Sequence, residues 1–157
     1  MSREPLVLRV VGCAPAWARR PGHPSSSYLV ERGGEGLLLD LGQGSLGALF
    51  AIRDPSTLSG IVISHLHPDH HVDLVGLRHL LRFGMGEPHR VPHWAPAGLR
   101  ERYDGFLGEL DFLGASFDGG EVHPGAWLVG PFQVEARPVL HAPNSPGYRV
   151  SIPDDRT

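Results

Sequence analysis

Two hydrophobic periods alternate along this chain, one suited to strands and one to helices. Leu6–Val11 is apolar apart from Arg9 and reads as a strand ended by Gly12. Ala14 to Ser27 is a loop punctuated by Pro15, Pro21 and Pro24. Ser27–Glu31 and Gly36–Leu41 read as a hairpin around Arg32-Gly33-Gly34-Glu35. Leu46–Arg53 follows as a short helix with Ser45 as its N-cap, stopped before Pro55. The run Gly60–Ser64 is a buried strand. Val72, Leu74, Val75, Leu77, Leu80 and Leu81 then set a helical period that runs to about Phe83 and stops at Gly84-Met85-Gly86.

Val91–Ala95 reads as another short strand. Leu99–Leu110 reads as a helix, amphipathic through Leu99, Tyr103, Phe106, Leu107 and Leu110. From Ala115 onward the pattern is strand and turn: Ala115–Phe117, Glu121–Val122, Trp127–Val129, Phe132–Pro138 and Tyr148–Ile152. Strand–helix alternation followed by a run of strands predicts an α/β (α+β) fold, and one domain over residues 1–157.

Composition changes this picture little. The 36 glycines and prolines (21 and 15) are scattered as turn punctuation, which suits many short strands. The formal charge of −3 does not carry the basic excess usual in nucleic-acid binding. All 14 basic residues are Arg, a type that favours bidentate phosphate contacts, though a compositional bias explains it without a ligand. A single Cys13 excludes an internal disulfide framework, and its place after a strand predicts a buried small hydrophobe. Pro5 and Arg9 interrupt the first apolar run, so no signal peptide is read. No run approaches the roughly 18 apolar residues of a membrane span. A reducing, cytoplasmic setting without membrane contact is the expectation.

The chemistry concentrates between the buried strand and the long helix, in Ser64-His-Leu-His-Pro-Asp-His-His-Val-Asp73. His65 and His67 are two apart, so on extended chain their rings point the same way and can reach one ion. Asp69 and His70 follow Pro68, which turns the chain toward a second position nearby. Zn²⁺ accepts His nitrogen and Asp oxygen at about 2.0–2.2 Å. Two ions about 3.5–4 Å apart can activate water and stabilise both oxygens of a hydrolysed ester. These four residues complete neither ion, and more ligands must come from elsewhere. His71 and His79 are not needed by the pattern and read as helix-face residues. His23, His89 and His93 read as solvated or structural. His141, ending a strand after Val139-Leu140, can turn into the same site, but its position alone leaves that open. Asp40, at the end of an apolar strand, either caps the turn before Gly42 or buries a carboxylate in need of partners.

His65-x-His67-x-Asp69-His70 after an apolar strand resembles the metal motif of the metallo-β-lactamase superfamily. Val10-Val-Gly-Cys-Ala-Pro15, Ser25-Ser-Ser-Tyr-Leu-Val30 and Gly36-Leu-Leu-Leu-Asp40-Leu-Gly42 resemble the opening of its ribonuclease Z-like branch. His141-Ala-Pro-Asn-Ser-Pro-Gly-Tyr-Arg149 extends the likeness. The resemblance implies a four-layered αββα sandwich, here incomplete: the first half and a few strands, with the C-terminal part absent. It implies His65, His67 and His141 on one metal, Asp69 and His70 on the other, and Asp40 just behind. It implies Zn²⁺, two per complete site, with Mn²⁺ or Fe as substitutes, and Asp69 orienting a metal-activated hydroxide. The implied activity is a metal-dependent phosphodiesterase acting on RNA 3′ ends or small phosphodiesters, with a homodimer as an assembly open to it. Lactam, thioester and sulfate-ester hydrolysis belong to the same superfamily.

The chain also departs from that pattern. The Gly-Asp pair whose Asp bridges the metals is not found, nor is a final His; Asp154 and Asp155 read as a hairpin turn. The expectation is therefore the N-terminal portion of a larger hydrolase, with an apolar face left uncovered. The rival expectation is a non-catalytic or degenerate metal-binding half-domain that pairs with another chain.

Overall fold

Alternation along the strands sorts their side chains into two cores. The computed structural model describes residues 4–17, 20 and 22–153; Asp154 and Asp155 lie outside them. A six-stranded sheet runs in the order β1 (Val7–Gly12), β2 (Ser27–Arg32), β3 (Glu35–Leu39), β4 (Gly60–Val62), β5 (Val91–Ala95), β6 (Phe117–Glu121). The first three strands are antiparallel; β3 to β6 are parallel neighbours. A three-stranded antiparallel sheet, β7 (Gly125–Val129), β8 (Phe132–Pro138) and β9 (Pro146–Ser151), packs against it.

Leu29, Leu38, Ile61 and Ile63 face α1 (Ser45–Phe50), α2 (Leu74–His79) and α3 (Leu99–Leu107) in the larger core. Their neighbours Val30, Leu37 and Val62 face the second sheet, against Val129, Phe132 and Val134. This is the period of two expected of strands covered on both faces. Each fully buried Leu or Ile contributes roughly 1.5–3 kcal/mol of apolar transfer. The sheets approach closely at Gly60, where a Cβ would lie 2.4 Å from Val129 Cγ1.

The predicted hairpin forms with Arg32 opposite Glu35. Gly33 and Gly34 supply the two positive φ angles, 59° and 84°, of its two-residue turn. Other boundaries differ from expectation. The N-cap of α1 is Gly44, at φ 77°, not Ser45. Ser45 donates its hydroxyl proton to Gly42 O, and the Leu46 N–H is satisfied by Asp73 at 2.9 Å. The helix expected from Val72 begins at Leu74 and passes into a π-helical turn over Leu80–Gly84. α3 ends at Gly108, leaving Phe106 and Leu110 exposed, while Phe112 and Leu113 fill the core instead. The two strand pieces expected near residues 115–122 are one strand, β6. Cys13 is exposed, because it follows the edge strand rather than a covered one.

Leu8 pairs with Val30 and Val10 with Tyr28, so Leu8 and Val10 share the inter-sheet face, and Leu6 precedes them. All three are exposed, since the three-stranded sheet does not cover them. No helix among the described residues is long and apolar enough to cross a membrane.

Candidate metal centre

β4 delivers Ser64 and His65 to the carboxyl edge of the parallel strands, where ligands gather in open α/β sheets. Pro68–His70 then forms a single 3-10 turn with Pro68 at its start. The turn lies against the end of β3: Leu41 N–H donates to His70 O at 2.8 Å, and Asp73 N–H to Leu41 O at 3.2 Å. Gly42 makes this approach feasible, because a Cβ there would sit 1.9 Å from Asp69 O.

His65, His67 and His141 converge. His65 Nε2 is 3.0 Å from His67 Nδ1 and 3.3 Å from His141 Nε2. Ring centroids of His141 lie 4.7 Å from His65 and 5.6 Å from His67. Among the described residues, these form the one group of three or more potential ligands with donor atoms within 4.8 Å of one another. His141 reaches the site from the turn between β8 and β9, not from a strand end.

Asp40 sits behind them at φ 62°. It is buried and accepts from Ser64 N and Ser64 Oγ, each at 2.7 Å, from Ser26 Oγ at 3.2 Å and from His70 Nδ1 at 2.6 Å. The Ser64 proton is thus committed to Asp40, and Ser64 Oγ is left to accept from His65 Nδ1–H at 3.0 Å. That fixes His65 with the lone pair of Nε2 facing His67 and His141. His70 is fixed likewise: Nδ1–H points to Asp40 and Nε2 lies 3.7 Å from Asp69 Oδ2. The turn-capping alternative for Asp40 therefore gives way to its role as a buried, fully partnered acceptor.

Electrostatics separate the two imidazoles. Burial, then the neighbouring His70 and His67, push His65 down to about 4, so it is neutral and ligand-ready at pH 7. Burial also opposes charge on His70, but its hydrogen bond and charge pairing with Asp40, helped by Asp69, leave it raised. Three nitrogens on a tetrahedral Zn²⁺ with bonds of about 2.0–2.1 Å are separated by about 3.3–3.4 Å. The observed separations of 3.3 and 3.0 Å lie at and slightly below that spacing, and all three nitrogens lie within 4.8 Å of one another. The donor set fits a divalent metal. Asp69 and His70 lie beside it, 3.7 Å apart, and are not grouped with the three histidines.

The family profile described as Metallo-beta-lactamase superfamily matches residues 20–156. The chain belongs to this superfamily. Ribonuclease Z of Haloferax volcanii is 31% identical over 163 residues, covering 99% of this chain and 48% of that protein. The metallo-beta-lactamase fold protein YhfI from Bacillus subtilis superposes with a TM-score of 0.79 at 23% identity, over 95% of this chain and 58% of that one. Human tRNase Z, short form, gives 0.69 at 22%, over 92% and 64%. The expected fold and the ribonuclease Z-like resemblance are both borne out. This metallo-beta-lactamase chain spans about half the length of the curated relatives it matches.

Several residues around the centre were not singled out by the sequence. His71, expected on a helix face, instead closes the 3-10 turn ahead of α2 and is buried; its Nδ1 meets Tyr103 Oη at 2.9 Å, and Tyr103 donates to His71 O at 2.7 Å. Arg102 donates to Leu66 O at 2.9 Å. Tyr148 reaches across the sandwich to donate to Ile63 O at 2.8 Å, at the root of the motif. His79 ends α2, a helix-face position as expected, and is exposed. His93 is buried against Phe117 and lies outside the cluster.

Proposed function

We propose that the protein, in its whole length, is a metal-dependent hydrolase of the ribonuclease Z-like type, cleaving phosphodiesters at RNA 3′ ends or in smaller molecules. One observation carries this reading: three imidazole nitrogens meet at one point, with the His65 lone pair aimed there by the Asp40–Ser64 network. His65 and His141 through Nε2 and His67 through Nδ1 would hold one divalent ion, zinc by its donor set, with manganese or iron as substitutes. Asp69 and His70 would supply two ligands to a second.

A bound metal supplies an acidified water and a Lewis-acid contact for the phosphoryl oxygen. The chain does the positioning. Asp40 and Ser64 hold the tautomers of His65 and His70. Asp69, in the 3-10 turn of the motif, would orient the attacking water. His65 stays neutral because it is buried, so its Nε2 remains a donor of electrons rather than of a proton. In this reading the protein works as one metallo-beta-lactamase domain in the cytoplasm, with a homodimer as a further expectation.

The test is turnover of bis(p-nitrophenyl) phosphate and of a precursor transfer RNA by the metal-loaded protein. Hydrolysis abolished by His65→Ala supports the reading; hydrolysis unaffected by it refutes the reading. A second reading is a metal-binding half-domain without turnover. It is favoured by the Asp69–His70 pair, which has no third ligand grouped with it among the described residues. Metal bound with no hydrolysis of either substrate would select it.

A further inference from the structure

A groove with a volume of about 240 Å³ opens beside His67, walled by Leu66, Ala97, Gly98, Ala142 and Asn144, and Arg102 lies along it. Three segments build it: the metal-motif turn, the start of α3 and the His141 turn. Its size is below that of a whole small-molecule site, about 300–1,000 Å³, and suits one nucleotide-sized unit. Its walls are mostly apolar apart from Asn144, with His67 and Arg102 at its margins.

Among the described residues Arg102 shares with Arg82 the lack of a carboxylate partner, but it alone of the two lies beside the metal motif. Arg9, Arg53, Arg78, Arg90, Arg100, Arg137 and Arg149 each pair with a carboxylate. Among the described residues, Arg102 has no carboxylate partner; its hydrogen bond goes to the carbonyl of Leu66, between two metal-motif histidines. That bond uses one of the five N–H donors of a guanidinium and fixes where the rest of the fork sits. A guanidinium left with its charge uncompensated and its position set is suited to a bidentate phosphate contact.

We infer that the Arg102 groove is a subsite for the phosphate of the nucleotide next to the scissile bond. This rests on the phosphodiesterase reading and narrows it: the substrate is an oligonucleotide chain, not a cyclic mononucleotide. The scissile phosphate lies at the imidazole cluster, and the chain continues along the groove past His67 to Arg102.

The test uses the zinc-loaded chain and phosphorothioate-linked UpU and UpUpU, which resist hydrolysis and carry one and two phosphate groups. Wild type is expected to bind UpUpU about tenfold more tightly than UpU. Arg102→Gln is expected to erase that preference while leaving UpU affinity and the visible spectrum of the Co²⁺-substituted protein unchanged. A preference that survives in R102Q, or that is missing in wild type, overturns the subsite. A changed Co²⁺ spectrum in R102Q also overturns it, because Arg102 then acts as a strut for the Leu66 turn. Wild type that binds neither oligonucleotide refutes the phosphodiester reading itself, and the subsite with it.

Discussion

Asp40 Oδ2 stands 2.6 Å from His70 Nδ1, joining the end of β3 to the metal-motif turn across 30 residues of sequence. The same oxygen accepts from Ser64, which in turn orients His65. One carboxylate therefore sets the ring orientation of a residue in each donor set. Asp40→Asn keeps the shape and tolerates the positive φ, but withdraws the charge. Zinc affinity, measured by competition with a chromophoric chelator, is expected to fall about 10–100-fold. Unchanged affinity would remove Asp40 from the centre.

The backbones of Gly42 and Asp69 approach closely in the site. A Cβ at Gly42 would meet Asp69 O at 1.9 Å and Ser25 Cβ at 3.0 Å. Gly42→Ala is expected to destabilise the metal-free chain by about 1–3 kcal/mol, through displacement of packed backbone. Gly47→Ala is the control: its Cβ meets nothing within 4 Å and it lies within α1. That change is expected to be neutral or stabilising by about 0.5–1 kcal/mol. Urea unfolding of both variants tests the pair.

Tyr148 donates to Ile63 O at 2.8 Å from the other side of the sandwich. Ile63 is fully buried, so no solvent replaces a lost donor. Tyr148→Phe keeps the ring contact with Trp127 but removes the hydroxyl. A loss of about 1–3 kcal/mol in unfolding free energy is expected, and its absence would show that the carbonyl finds another partner.

Acid should weaken the metal-free chain before its carboxylates titrate. Burial, with Arg100 and His71 nearby, holds His93 down at about 3, against 6.5 when unfolded. The unfolded chain binds the extra proton between those values, so stability is complete above about pH 6.5 and falls as pH drops toward 3. The slope from one such group is at most about 1.4 kcal/mol per pH unit. His93→Leu should flatten it in urea titrations at stepped pH; an unaltered slope would mean that His93 protonates in place.

Much of this architecture could be read from the chain because the relevant signals are local. The spacing His65-x-His67-x-Asp69-His70, the Gly33-Gly34 turn and the alternation in Phe132–Pro138 each need only neighbouring residues. What escaped depends on contacts distant in sequence. His71 just precedes the helical run and is buried against Tyr103, 32 residues on. The helical period through Leu110 is real, yet α3 stops at Gly108 because Asp104 turns to accept from Asp111 N–H and Phe112 N–H. Asp40 could be given either of two roles until the turn was seen to fold back onto β3. Arg102 resembles any solvated helix charge until its partner at Leu66 is known.

The most direct measurement is anomalous diffraction at the zinc edge from crystals of the zinc-soaked protein. The three-imidazole centre predicts a peak about 2.0–2.1 Å from His65 Nε2, His67 Nδ1 and His141 Nε2 together. No peak there, or zinc bound without His141, would contradict it.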